Sequence, residues 1–176
     1  MKNAWAVFKK EMKSYLLSPI AYVVGAAFLV IVGYLFYNSL IYYSILSLQG
    51  QANPYLMGYL KLTEMVIGPF FLNMGVISLF VVPLLTMRLF AEEKKLGTIE
   101  LLFTYPIRDG EAMAGKFAAC MVIYLLVLLL TFLYPGAVFL LGKPETGPII
   151  SGYLGLFLLG GVFISYGIFA SSLTEN

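Results

Sequence analysis

The chain has 176 residues, of which 61% are apolar and only 11% charged, with a formal net charge of +2. Soluble domains carry about 25% charged residues, and the charge-free runs 14–60, 65–87, 117–142 and 146–174 are too long and too apolar for one soluble core, so the composition describes a polytopic membrane protein. The sequence holds no His and a single Cys, Cys120, which removes His-based acid–base catalysis, most zinc sites, haem ligation by His and any internal disulfide. A charge of +2 is too small to suggest a nucleic-acid partner, and no G-x-x-x-x-G-K-[ST] run is present to cradle a nucleotide.

The first element spans 1–17, MKNAWAVFKKEMKSYLL. Trp5, Phe8, Met12, Tyr15 and Leu16 recur at helical spacing, while Lys2, Lys9 and Lys13 lie mostly on another side. This predicts an amphipathic helix at a membrane interface, its lysines toward anionic headgroups; the plainer alternative is a basic flank to the first span. Ser18-Pro19 breaks it. The first span then covers about 20–43, with Tyr37, Tyr42 and Tyr43 at its outer interface and Tyr15 and Tyr22 at its inner one. It is too long for a signal-peptide core of about 7–15 residues, and no A-x-A site follows it.

An outer loop is expected over 44–63, where Gln49, Gly50, Gln51, Asn53 and Pro54 interrupt the apolar run. Tyr55, Leu56, Tyr59 and Leu60 would form one face of a short surface helix or, alternatively, of a re-entrant gate. The second span covers about 65–89, with Asn73 as its most polar central side chain and Pro69 and Pro83 as kink sites. Asn73 suits an interhelical hydrogen bond or a contact with something passing through.

The segment 91–116 is the richest stretch. No breaker occurs in the second span before Gly97, so its helix should continue past the headgroups, with Lys94 and Lys95 suiting the C-terminal dipole. Thr98 is an N-cap for a short helix to about Thr104, and Pro106 forbids its continuation. Asp109, with Glu111 in the first turn, should then start the helix that becomes the third span, about 117–141, kinked at Pro135-Gly136. After a loop at 142–148, the fourth span covers about 149–173. Its pairs Ser151/Gly155, Gly161/Ser165 and Gly167/Ser171 are spaced i, i+4 for close packing.

Lys and Arg fix the expected orientation. Nine lie before the first span or between spans two and three (Lys2, Lys9, Lys10, Lys13, Arg88, Lys94, Lys95, Arg108, Lys116), against Lys61 and Lys143 in the other two loops. The N-terminus and the 91–116 loop are therefore expected in the cytoplasm. The span centres hold no Asp, Glu, Lys or Arg, which speaks against an ion-coupled carrier or an intramembrane hydrolase. Singly scattered Met residues do not make a copper path.

The stretch EEKKLGTIELLFTYPI, followed by Gly115-Lys116, resembles the cytoplasmic-loop motif of ABC type-2 export permeases. That motif is an acidic–basic pair, then G-T-x-E-x-L, a Pro-Ile and a G-K before the third span. FKKEMKSYLLSP near the N-terminus and SSLTEN after the fourth span are also similar to that family, most of all to its gliding-motility and nitrous-oxide-reductase-maturation branch. The resemblance implies an all-α transmembrane helix bundle with a short cytoplasmic coupling helix. It implies a permease subunit, not an enzyme, that binds no cofactor or metal and couples ATP hydrolysis on a separate ABC ATPase subunit to export across a bacterial inner membrane. A second permease copy or a related permease would complete the pathway. Glu92, Glu93, Lys94, Lys95, Gly97, Thr98, Glu100, Leu101, Leu102 and Pro106 are the implied ATPase-contacting residues, with Asn73 as a pathway or helix contact. Family members usually carry six spans, so more chain is expected beyond Asn176. The competing expectation is a non-transporting four-span scaffold, which has no need of a G-T-I-E-L-L loop between two projecting helices.

Overall fold

In the computed structural model, residues 2–52, 61–95, 109–141 and 144–173 are described, and no strand occurs among them. Helix α1 is Lys2–Leu17 and α2 is Pro19–Ala52. A π-helical turn at Thr63–Ile67 leads into α3, Gly68–Lys95. Helix α4 is Asp109–Thr131, α5 is Leu133–Leu141 and α6 is Thr146–Leu173. Four stretches are long and apolar enough to cross a membrane: Pro19–Gly50, Thr63–Thr86, Gly110–Leu140 and Thr146–Ser171. The protein is thus an all-α bundle of four spans with α1 at one end, as the composition indicated.

Each interruption has a local cause. Ser18 N–H bonds the Tyr15 carbonyl at 3.1 Å, closing α1, and Pro19 opens α2, where its missing N–H costs nothing. The Tyr22 hydroxyl donates to the Leu16 carbonyl at 2.8 Å, satisfying an orphan acceptor at the end of α1. The π turn lies immediately before Pro69, with Gly68 N–H bonded to the Thr63 carbonyl five residues back. A proline ring collides with the carbonyl four residues before it, and the wider turn relieves that crowding. Between α4 and α5 the helix breaks at Phe132, because Pro135 has no N–H to offer the Thr131 carbonyl. The Phe132 N–H turns instead to the Leu129 carbonyl at 3.1 Å.

One boundary differs from the sequence reading. Helix α2 does not end near Tyr43 but runs to Ala52. Its 34 residues are about 51 Å long, well beyond a hydrocarbon core of about 30 Å. Ser44, Ser47, Gln49 and Gly50 do not stop a helix that has already begun, so polarity there marks departure from the membrane rather than the end of the helix. Tyr55, Leu56, Tyr59 and Leu60 lie outside the described residues.

The core is built from α3 packed on α6, with α2 and α4 completing the bundle. Phe28, Val32, Phe36, Phe70, Met74, Val82, Leu128, Val138 and Ile164 are buried within it. Most lipid-facing side chains are apolar and exposed, as a bundle in hydrocarbon requires. Close packing on α6 uses Gly152, Gly160 and Gly167, two turns apart in each step. A Cβ at Gly152 would collide with the Phe71 ring, at Gly160 with the Tyr124 ring, and at Gly167 with the Thr86 hydroxyl. Of the expected pairs, Gly167/Ser171 faces the bundle, whereas Ser151, Gly155 and Ser165 are exposed and Gly155 has open space beside it. The i, i+4 spacing finds small residues but not the face that a neighbouring ring occupies.

Phenols supply the polar glue. The Tyr124 hydroxyl lies 3.2 Å from Ser78 Oγ on α3 and donates to the Leu156 carbonyl on α6 at 3.3 Å. The Tyr153 hydroxyl meets Thr131 Oγ1 at 3.1 Å, and the Tyr134 hydroxyl donates to the Leu29 carbonyl at 2.9 Å. Each bond crosses between spans in a medium with no water to compete.

Candidate functional site at the α1 end of the bundle

Helix α1 is not merely laid on a surface. Val7, Glu11, Tyr15 and Ser18 are buried, a stripe at +4, +4 and +3 against the start of α4. The expected apolar stripe is mostly a different flank: Trp5 and Leu16 are exposed, with Phe8 and Met12 half-buried between them. Trp5 and Phe8 stack at 5.0 Å between ring centroids, and Lys9 Nζ sits 5.6 Å over the Trp5 ring. Tyr15, expected in an aromatic belt, is instead 6% exposed and bonded inside the protein. The helix therefore has a docked side and an open apolar flank, with exposed Lys9 and Lys13 along the edge of that flank beside Leu16.

Docking rests on two adjacent residues of α4. Gly115 admits α1, since a Cβ there would stand 2.8 Å from the Ala4 carbonyl and 2.9 Å from Val7 Cβ. Lys116 then extends its ammonium to Glu11, with Nζ 3.0 Å from Oε1 and both side chains buried. Charges this deep persist only when paired, and breaking such a pair costs about 3–5 kcal/mol, although it need not stabilise more than an apolar pair of the same shape. The G-K of the loop motif thus has a physical role: glycine for the approach, lysine for the anchor. Sequence reasoning does not single out Glu11. Its signal is a lone acid on the docked face, at +4 from Val7 and −4 from Tyr15.

Tyr15 extends the attachment to the other stalk. Its hydroxyl donates to the Leu85 carbonyl of α3 at 3.1 Å and lies 3.3 Å from Cys120 Sγ of α4. One short helix therefore touches the bases of both helices that flank residues 96–108. Helix α3 continues to Lys95, nine residues past its apolar span at Thr86, or about 13 Å. Helix α4 starts at Asp109, the residue expected to begin it.

Of the sequence-predicted site residues, Glu92, Glu93, Lys94 and Lys95 form the end of α3, where only the backbone is described. Gly97, Thr98, Glu100, Leu101, Leu102 and Pro106 lie outside the described residues. Asn73 is far from this end, half-buried on α3, and makes no side-chain hydrogen bond among the described residues. No cluster of three His, Cys, Asp or Glu residues that could hold a metal occurs among the described residues.

No curated protein sequence matches the chain closely enough to count as a relative. A sequence model of the ABC-2 family transporter proteins matches residues 5–176, nearly the whole chain. With four membrane-capable helices arranged around this α1-braced base, the chain belongs to the ABC-2 transporter family, as a membrane permease component of an ABC transporter.

Proposed function

We propose that the protein is the permease subunit of an ABC exporter of the gliding-motility and nitrous-oxide-reductase-maturation type, driven by a separate ATPase through its 91–116 loop. The N-terminus and this loop face the cytoplasm of a bacterial inner membrane, and two copies, or one with a related permease, form the pathway. Glu92, Glu93, Lys94, Lys95, Gly97, Thr98, Glu100, Leu101, Leu102 and Pro106 make the ATPase contact.

The observation that carries this reading is the bracing of both stalk bases by α1, through Glu11–Lys116 and through Tyr15 to Leu85. A loop that only joined two spans would need no such brace. A loop that receives force needs stalks that shift as a unit, because packed elements move between discrete arrangements rather than deform smoothly. Closure of the ATPase would push the loop, and α1 would carry the displacement of α4 to α2 across the Ser18-Pro19 elbow. Asn73 fits the pathway side of α3: an amide within an apolar span gains from a polar partner, and none is supplied from within the described chain.

The test is recovery of a co-expressed cognate ABC ATPase with the permease, mutant beside wild type at equal membrane levels. Leu102→Asp should lower recovery at least tenfold, the equivalent of about 1.4 kcal/mol, because a carboxylate replaces an apolar contact. Insertion should be unaffected. Equal recovery would reject the loop as the ATPase contact.

A further inference from the structure

A slot of about 520 Å³ opens between α1, α2 and α4. Tyr15 and Leu16 form its mouth with Tyr22, and Ala21, Gly25 and Ala26 hollow one wall opposite Leu126 and Leu130. Its lining is almost wholly apolar, and the two phenols at its mouth are already committed, Tyr22 to the Leu16 carbonyl and Tyr15 to the Leu85 carbonyl. The slot offers hydrocarbon and nothing else to an occupant.

Its depth limits what that occupant is. The α2 wall runs from Ala21 to Leu29, eight residues or about 12 Å along the axis. Just beyond, α2 and α5 close on each other: Tyr134 donates to the Leu29 carbonyl at 2.9 Å, and Gly33 admits the same phenol where a Cβ would stand 2.8 Å from its oxygen. The slot therefore ends there, and its length along α2 is less than half of a hydrocarbon core about 30 Å thick. A spanning helix from a second copy cannot fit so short a slot; a chain entering from one leaflet can. Exposed Lys13 and Lys9 precede Leu16 by three and seven residues and so stand on the flank of α1 beside it. Apolar slot and cationic rim together match an anionic amphiphile.

We propose that this slot binds one acyl chain of an anionic phospholipid from the leaflet on the α1 side, with its headgroup held by Lys9 and Lys13. The assignment is independent of transport and of orientation. The test is native mass spectrometry of the full chain, reconstituted with equimolar phosphatidylglycerol and phosphatidylcholine and extracted in mild detergent. Wild type should retain one phosphatidylglycerol in preference to phosphatidylcholine. Ala26→Phe, on an exposed wall position, should fill the slot and lower retention at least tenfold. Lys9→Gln with Lys13→Gln leaves the slot open and should remove the preference for phosphatidylglycerol, at roughly fivefold per lysine. Monodispersity of each variant on size exclusion confirms its fold, and the double lysine variant, altered only at exposed positions, is informative even where Ala26→Phe is not. Retention of neither lipid, equal retention of both by wild type, or a preference unchanged in the double lysine variant would overturn the proposal. So would a disulfide joining two copies of the Ala26→Cys variant through the introduced thiols, which would give the slot to protein.

Discussion

At the scale of single residues, the buried Glu11–Lys116 pair and the glycines of α6 make the sharpest statements. Glu11→Gln leaves the Lys116 ammonium buried without its carboxylate, at a cost of about 3–5 kcal/mol. Heat denaturation of the full chain in detergent should show a clear fall in Tm. Replacing both residues by Met should recover most of that loss, since an apolar pair of similar volume needs no desolvation of charge. A single mutant as stable as wild type would mean that the pair is not closed in the membrane. On α6, Gly160→Ala forces a methyl into the Tyr124 ring, which is held by Ser78 and the Leu156 carbonyl, so about 1–3 kcal/mol should be lost. Gly155→Ala, with open space around it, should be neutral or slightly stabilising by the same assay. Equal effects at the two positions would contradict the packing described.

At the scale of elements, much of the chain could be read from its residues. Ser18-Pro19 ended α1, Asp109 began α4, and Pro135 broke the third span, because each acts through its own backbone. The extent of α2 could not be read, since the polar residues 44–52 are compatible with helix once the preceding turns are formed. The docked face of α1 was hidden for a different reason. A hydrophobic stripe marks where apolar surface wants to go, and here it goes to the open flank, while the face against α4 is chosen by the partner: Gly115 for space and Lys116 for Glu11. A similar limit applies to Tyr15, Tyr124, Tyr134 and Tyr153, whose hydroxyls find carbonyls and hydroxyls on other helices that no local pattern announces. If α1 transmits motion between α4 and α2, a flexible elbow should uncouple it. Pro19→Gly with Ser18→Gly should leave ATP hydrolysis in the assembled transporter intact while lowering transport several-fold. Transport falling only in proportion to protein level would assign α1 a purely structural role.

At the scale of the whole molecule, one end gathers α1, the stalks and most of the positive charge, and the other carries the exposed Lys61–Glu64 pair and the turn where Glu145 N–H bonds Thr63 Oγ1. The proposed orientation, with the α1 end in the cytoplasm, rests on the nine-to-two distribution of Lys and Arg. In a Cys120→Ala background, cysteine at Gly97 should react with an impermeant maleimide only in inverted vesicles, and cysteine at Glu145 only in intact cells. The reverse would turn the molecule over and remove its access to a cytoplasmic ATPase. The most direct measurement puts orientation and coupling into one experiment. A photoreactive benzophenone amino acid at Leu102, with the same group at Glu145 as its control, is irradiated in membranes containing the assembled transporter. An adduct of permease and ATPase from position 102 and none from position 145 is the expected result; no adduct from 102, or an adduct from 145, would contradict the assignment of this loop as the site where the ATPase acts.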